Sequence, residues 1–319
     1  MRDVVPILTL LVPGPFRSEE ELARALREAG LSLPIVVDDA NLTLGEVGLR
    51  IVEDASLVAA FRHGIEIDDD ALGRIAEAGR AAVVDIALPL VERPDDVARV
   101  VRALRAAGGL ALRMEGSGGA WGFDAWLDCV DGGEPDGLHE ASVTFVQDGG
   151  TIFSCGMHQL GLPDAEIAMS DPRAAVGWLR TFQLFQLIER PLLASGHTFQ
   201  PDAESPRRIL ERWPDARHRE GDGRRNPFGL FRFLPEGAPP RNVVEPLPVI
   251  IPPLVAILMA AERDKGSPLE RQEVDAIVEK SPAMAIKLAH ALELERRRGY
   301  ADLDPEHAYE QWCIVRAMQ

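Results

Sequence analysis

The N-terminal part of the chain alternates short apolar runs with amphipathic segments. The apolar run Val4 to Val12 predicts a strand that ends at a Pro-Gly pair. Ser18, followed by three glutamates, predicts a helix N-cap, and Gly30 predicts the end of that helix. The runs Pro34 to Asp38 and Val47 to Val52 predict two further short strands.

The same pattern then starts again. A helix is predicted over Asp68 to Gly79, a strand over Ala82 to Leu90, a helix over Pro94 to Ala107 and a returning strand over Leu110 to Met114. Strand-helix-strand units of this kind predict an α+β fold made of ferredoxin-like βαββαβ layers, either one or two in tandem.

The alternative fold is a doubly wound parallel sheet, and a predicted hairpin distinguishes the two. Strands are predicted over Ala141 to Val146 and Thr151 to Cys155, and the Asp148-Gly149 pair between them is typical of a tight turn. Such a hairpin needs antiparallel neighbours, which disfavours the parallel alternative. An amphipathic helix is predicted over Ala174 to Glu189, with Pro191 stopping it.

The second half of the chain differs in character. The stretch from Gln200 to Pro253 is rich in Pro, Arg and Gly and has little periodicity, and helix starts are predicted at 267–270 and at 304–306. The sequence therefore predicts an N-terminal α/β unit (1–80), a second α/β unit (81–200), a Pro/Arg-rich connector (201–253) and a C-terminal helical module (254–319).

Charge and composition narrow the range of partners. There are 51 acidic and 34 basic residues, so the net charge is −17, which disfavours nucleic acid and anionic lipid surfaces as partners. The longest apolar candidate, Val249 to Ala261, contains Pro252-Pro253 and is shorter than a membrane span. Three widely spaced cysteines and the lack of a recognisable signal peptide predict a cytoplasmic protein. The oligomeric state stays open.

The densest cluster of chemically useful residues lies between Phe153 and Phe199. Its first part contains a thiol, Cys155, an imidazole, His158, and the carboxylates of Asp164 and Glu166. Its second part follows the amphipathic helix and contains Glu189, His197 and Thr198. We take Asp164, Glu189 and Thr198 as candidate binding residues.

Three interpretations of the cluster remain open. Cys155, His158 and His197 are weak candidates for zinc ligands, but a clear fourth ligand is missing, so we expect neither a metal nor a cofactor. Cys155 or Ser154 could act as a nucleophile, with His158 or His197 as its base and Glu166 in the same candidate catalytic set.

The third interpretation is structural, and it is the one we favour. In it, Cys155 is a buried strand residue, His158 forms local hydrogen bonds, and Asp164 and Glu166 lie in a solvated loop.

Two other segments invite a functional interpretation. Glu115 to Ala120 is Gly-rich, but it lacks both the Walker lysine and the GxGxxG spacing, so a flexible turn is predicted. Arg207 to Arg225 contains seven arginines with interspersed acids, which predicts a solvated loop rather than a site for an acidic partner. The turn Asn226 to Leu230 is predicted to dock that loop on the main body.

Four segments together resemble a bacterial domain family of unknown function: Ser154 to Glu166, which ends in GMHQLGLPDAE, Glu189 to Pro191, Gly196 to Phe199 and Asn226 to Leu230. Pro268 to Val274 and Arg298 to Glu306 resemble a short C-terminal segment of other bacterial hypothetical proteins. The larger resemblance implies a neighbourhood of bacterial effector and immunity proteins, and neither implies an activity.

These observations predict a non-catalytic cytoplasmic protein, of immunity type, that binds a protein partner through its acidic surface. The alternatives are a metal-assisted or thiol- and histidine-dependent hydrolase that uses the 154–199 cluster, and a structural subunit of a larger assembly.

Overall fold

The computed structural model describes residues 7–37, 42–54, 56–219, 221–235, 238, 247–286, 294, 297–298, 302–303, 305 and 308–317. The predictions made for residues 4–6, 304 and 306, and for most of the 298–306 resemblance, lie outside these residues. The chain forms two compact units. The first consists of residues 1–190, 200–205 and 212–233, and the second of residues 191–199, 206–211 and 234–319.

The first unit contains a mixed sheet built from the N-terminal third of the chain. Its strands are β1 (Leu8–Pro13), β2 (Ile35–Val37), β3 (Val47–Glu53), β4 (Arg80–Ile86), β5 (Leu112–Met114) and β6 (Ala120–Trp121). In the described residues their order is β2-β3-β4-β1-β5-β6. The central β3-β4-β1-β5 part is antiparallel throughout, as in a ferredoxin-like βαββαβ layer. The boundary predicted after residue 80 falls inside this sheet, because β4 pairs with both β3 and β1.

Helices cover both faces of this sheet. They are α1 (Glu19–Glu28), α2 (Leu57–Phe61), α3 (Asp69–Ala78) and α4 (Pro94–Ala106). The helices α1 and α4 share a core with Leu10 and Val84, whereas α2 and α3 share one with Leu11 and Ala81. Neighbouring strand residues point to opposite faces, so adjacent positions enter different cores. The predicted N-cap at Ser18 is confirmed, since its side chain accepts a hydrogen bond from Glu21 N.

Two short helices, α5 (Phe123–Val130) and α6 (Pro135–Ser142), precede the predicted hairpin. The strand predicted over Ala141 to Val146 is wrong at its start, because Ala141 and Ser142 end α6. Pro135 occupies the first turn of that helix, a position that proline favours because its missing N–H is not needed there.

The first unit also contains β7 (Thr144–Asp148), β8 (Thr151–Cys155) and β9 (Asp164–Ala168), followed by α7 (Pro172–Glu189). The predicted hairpin is confirmed, since Asp148 pairs with Thr151. Strands β8 and β9 are antiparallel.

The next strands along the chain are β10 (Thr198–Phe199), β11 (Arg208–Trp213) and β12 (Leu230–Leu234). Strand β12 lies parallel to β9. Phe182 of α7 packs edge-on against Phe231 and Phe233 of β12. The predicted α+β class with tandem sheet-and-helix layers is confirmed.

The second unit contains a β10-β11 pair, in which Thr198 lies opposite Ile209. It also contains α8 (Leu254–Lys265), α9 (Arg271–Lys280), a final helix (Ala308–Ala317) and the antiparallel pair β13 (Leu247–Ile250) and β14 (Ala283–Ile286). The helices share a core that includes Leu258, Val274 and Trp312. The helix start predicted at 267–270 is confirmed, because Glu270 and Glu273 form a capping box.

The segment predicted as an irregular connector, 201–253, contains the strands β11, β12 and β13. Strand β12 pairs in register with β9, with Arg232 opposite Glu166. Short strands separated by long polar stretches give a weak periodic signal, which is why the pattern concealed them. Among the described residues, no helix is both long enough and apolar enough to cross a membrane.

Candidate functional site

The centre of the candidate site is Asp164, the first residue of β9, whose side chain is buried. Its carboxylate accepts hydrogen bonds from Ser154 Oγ (2.9 Å), from Met157 N (3.3 Å) and from Asn226 Nδ2 (2.7 Å). Burial raises the pKa of Asp164 to about 6, although the hydrogen bonds from Asn226, Ser154 and Met157 oppose that shift. The carboxylate is therefore mostly charged at neutral pH, and buried.

A chain of buried polar side chains extends from Asp164 to α7 and α6. Gln183 Nε2 donates to Ser154 Oγ, and Gln183 Oε1 lies 2.9 Å from His139 Nε2. The Gln183 amide nitrogen donates to Ser154, so the amide oxygen is the atom that faces His139. This oxygen accepts a hydrogen bond from His139 Nε2, which therefore carries the ring's hydrogen. Burial lowers the pKa of His139, so this histidine is neutral at neutral pH.

The sequence interpretation missed Gln183 and His139, although one signal was available. Glutamine occupies two positions, 183 and 186, of the buried face of α7, which also includes positions 175, 178, 179, 182 and 187. A polar residue at a core position of a helix needs an internal hydrogen-bond partner.

Cys155, the last residue of β8, is a buried strand residue, as the structural interpretation predicted. Its Sγ lies 3.4 Å from Gly116 O and 3.9 Å from Arg224 O. Burial, with the charge of Asp164 as the next cause, raises the pKa of the thiol to about 12. The group is therefore protonated at neutral pH and is a poor nucleophile in this structure.

His158 lies in a 3-10 turn, Met157–Leu160, that follows β8. Burial lowers its pKa to about 4, while the backbone of Gly223 and the Asp215 carboxylate raise it. Within the described residues, its buried Nδ1 atom has no hydrogen-bond partner, and the same is true of Gln159 Oε1. His158 is therefore a neutral imidazole with one unsatisfied ring nitrogen, so its predicted local hydrogen bonding is incomplete.

The Gly-rich turn predicted at Glu115 to Ala120 connects β5 to β6 and packs on this histidine. A Cβ atom at Gly116 would lie 2.8 Å from His158 Nε2 and 2.8 Å from Gln159 Cδ. Glycine allows this close approach.

Glu166 lies in the middle of β9, and its side chain is only 4% exposed. It forms ion pairs with Arg217 and with Arg232. Arg217 also stacks over the ring of Phe153, with its guanidinium carbon 4.2 Å from the ring centroid. The expectation that Asp164 and Glu166 lie in a solvated loop is wrong, because β9 carries both into buried positions.

We call residues 214–219 and 221–228, which lie between β11 and β12, the strap. Asp215 organises it by accepting hydrogen bonds from Arg217 N (2.9 Å) and Asn226 N (2.9 Å), and it pairs with His218 Nδ1 (3.0 Å). The prediction of a solvated loop over Arg207 to Arg225 is wrong at its start, which is β11. The described part after β11 is a loop with mostly exposed residues, but it also contacts β9 through Arg217 and β8 through Arg224.

The predicted docking of the 226–230 turn is confirmed, but its main anchor is polar. Asn226 donates to Asp164 Oδ2 and to Leu162 O, and its own Oδ1 accepts from Phe228 N.

The remaining candidates lie elsewhere. Glu189 is exposed in the last turn of α7. Thr198 is exposed in β10 of the second unit, next to His197, whose backbone bonds to Ala194 and Leu210. The structure thus brings Cys155, His158 and Asp164 together beneath the strap.

The zinc hypothesis receives no support from the donor geometry. In the part of the chain that the structure describes, no group of three or more His, Cys, Asp and Glu side chains is placed to hold a metal ion.

Comparisons of the chain with family models, with curated proteins and with solved structures found no match. The resemblance to a bacterial domain family therefore stays a prediction.

Proposed function

We propose that this chain is a non-catalytic cytoplasmic protein that binds a basic protein partner through an acidic surface. One observation carries the proposal: the side chains that suggest catalysis are used in internal contacts. Both carboxylate oxygens of Glu166 pair with arginines, Asp164 accepts three hydrogen bonds, and Cys155 is a protonated thiol. The immunity-type role rests on the sequence resemblance alone.

An acidic surface on the first unit supports this proposal. Cys129 of α5 is half-buried. The exposed carboxylates of Asp128 on α5 and of Asp136 and Glu140 on α6 surround it. Burial raises the pKa of the Cys129 thiol, and these three carboxylates, with that of Glu66, raise it further. We call Glu66, Asp128, Asp136 and Glu140 the acidic face.

One arginine partly neutralises the acidic face. Arg180 lies 2.8 Å from Asp136 and 3.8 Å from Glu140, so it pairs with two of these four carboxylates. A surface of this kind attracts a partner of positive charge and speeds its association.

Charge reversal tests the proposal. The double variant Asp128→Lys, Glu140→Lys reverses the acidic face, and the matched control Glu28→Lys, Glu77→Lys makes the same change in net charge at exposed positions on α1 and α3. Tagged proteins are used to isolate partners from native host cells at low and high salt. We expect one protein to be retained by the wild type and by the control, to be depleted about tenfold by the acidic-face variant, and to be lost at high salt.

Two results would contradict the proposal. One is equal retention of that protein by the acidic-face variant and the wild type. The other is equal depletion by both double variants, which would show that net charge, and not this face, is responsible.

One observation favours a second candidate, a thiol- and histidine-dependent hydrolase. Cys155 and His158 both border Gly116, so a thiol and a neutral imidazole lie beside the same glycine. An esterase assay with Cys155→Ser and His158→Gln tests it: both variants should abolish any hydrolysis by the wild type, and wild-type protein with no activity removes this candidate.

A further inference from the structure

The strap is attached to the first unit in an unusual way. Its described backbone hydrogen bonds are local turns, such as Asp222 N to Arg219 O and Arg225 N to Asp222 O. Its described hydrogen bonds to the sheet involve side chains, among them Arg217 to Glu166 and Asn226 to Asp164. A long segment without helix or strand that is held by a few side chains is typical of a local opening unit.

The layer beneath the strap favours opening. Burial shifts the pKa of Asp164 and of Cys155 upward and that of His158 downward, so each group is held in an environment that disfavours its charged form. His158 Nδ1 also has no hydrogen-bond partner among the described residues. Water that enters on opening would hydrate Asp164 and His158, which offsets part of the contacts that opening breaks.

The sheet keeps its own contacts when the strap leaves. Glu166 loses Arg217 but retains the ion pair with Arg232 of the neighbouring strand β12. Asp164 loses Asn226 but retains the hydrogen bonds from Ser154 and Met157. No charge in this layer is left buried without a partner, so β8, β9 and β12 can remain paired.

We propose that the strap opens as a local unit and uncovers Cys155 and His158 while the sheet beneath it stays folded. In the closed state the thiol is covered and inert. In the open state it is accessible to solvent, with a neutral imidazole beside it. This inference does not rest on the proposed partner binding, and its test does not involve a partner.

The thiol itself reports on opening. In a Cys129→Ser, Cys313→Ser background, Cys155 is the one remaining cysteine. Its rate of modification by iodoacetamide is measured at increasing urea below the unfolding transition. We expect a rate that changes much less steeply with urea than the global unfolding equilibrium does, because local opening exposes little surface.

A variant of the anchor sharpens the test. Arg217→Gln removes the strap's ion pair with Glu166, and we expect it to raise the modification rate about tenfold. The control Arg99→Gln removes an exposed ion pair with Asp96 on α4 and should leave the rate unchanged.

Two results would overturn the proposal: a urea dependence of labelling equal to that of global unfolding, or an Arg217→Gln rate that rises only in proportion to its loss of global stability. If Arg217→Gln does not fold, the urea dependence of Cys155 labelling in the Cys129→Ser, Cys313→Ser protein alone decides whether the strap opens locally.

Discussion

Ser154 donates a hydrogen bond to Asp164 across 2.9 Å, between the antiparallel strands β8 and β9. Ser154 Oγ also accepts hydrogen bonds from Ala165 N and from Gln183 Nε2. The motif between the two residues, Cys155 to Pro163, is therefore the connection that returns the chain from one strand to the next. Its density of unusual residues reflects a tight polar junction inside the core.

Stability should depend on the protonation of Asp164. Its folded-state pKa of about 6 lies above the ordinary 3.8, so its contribution to stability is greatest below pH 4 and is lost as the pH rises through 6. We expect the free energy of unfolding of the wild type, relative to Asp164→Asn, to gain roughly 2.5 kcal/mol between pH 7.5 and pH 4. Urea unfolding across that range measures it.

The exposed variant Asp69→Asn, made in parallel, corrects for the loss of one negative charge. A difference between wild type and Asp164→Asn that does not change with pH would show that Asp164 titrates in the same way in the folded and unfolded states.

Protonation of His158 should have the opposite effect on stability from protonation of Asp164. Its folded-state pKa of about 4 lies below the ordinary 6.5, so its contribution to stability is complete above pH 6.5 and is lost as the pH falls towards 4. Between pH 7.5 and pH 4, the free energy of unfolding of the wild type should therefore fall by up to about 3 kcal/mol more than that of His158→Gln. An NMR titration of the His158 ring provides a direct check, and a midpoint near 6.5 would refute the prediction.

Gly156 should be among the most sensitive glycines of the chain. Its φ is 122°, and a Cβ atom there would lie 2.1 Å from Ser142 O. Gly156→Ala should therefore destabilise the protein by about 3 kcal/mol or more. The matched control is Gly161→Ala, where φ is 74° but no described atom lies within 4 Å of the added Cβ, so only about 1 kcal/mol is expected. Equal losses of unfolding free energy would contradict the close approach at Gly156.

Glu166 should contribute more to the stability of the fold than an exposed ion pair does. Glu166→Gln leaves Arg217 and Arg232 without their shared carboxylate, and we expect a loss of about 2 to 4 kcal/mol in the free energy of unfolding. Glu53→Gln removes an exposed pair with Arg80 and should change stability little. Similar small effects of both variants would show that the Glu166 contacts contribute no more than surface pairs.

Local patterns were sufficient where a few neighbouring residues decide the conformation. The N-cap at Ser18, the Asp148-Gly149 hairpin and the start of α9 at Glu270 were all predictable, because their hydrogen bonds connect residues close in the chain. Patterns misled at Ala141, where a helix ends instead of a strand beginning. Apolar residues of a short segment fit both structures.

The sequence by itself determined the α+β class, the helix starts at Ser18 and Glu270 and the hairpin turn, since these depend on local sterics and on the period of apolar residues. Only the tertiary structure decided the roles of Asp164 and Glu166. Asn226, 62 residues from Asp164, and Arg217, 51 residues from Glu166, supply their partners. A carboxylate in a strand can face water or the interior, and contacts this distant in the chain determine which environment it meets.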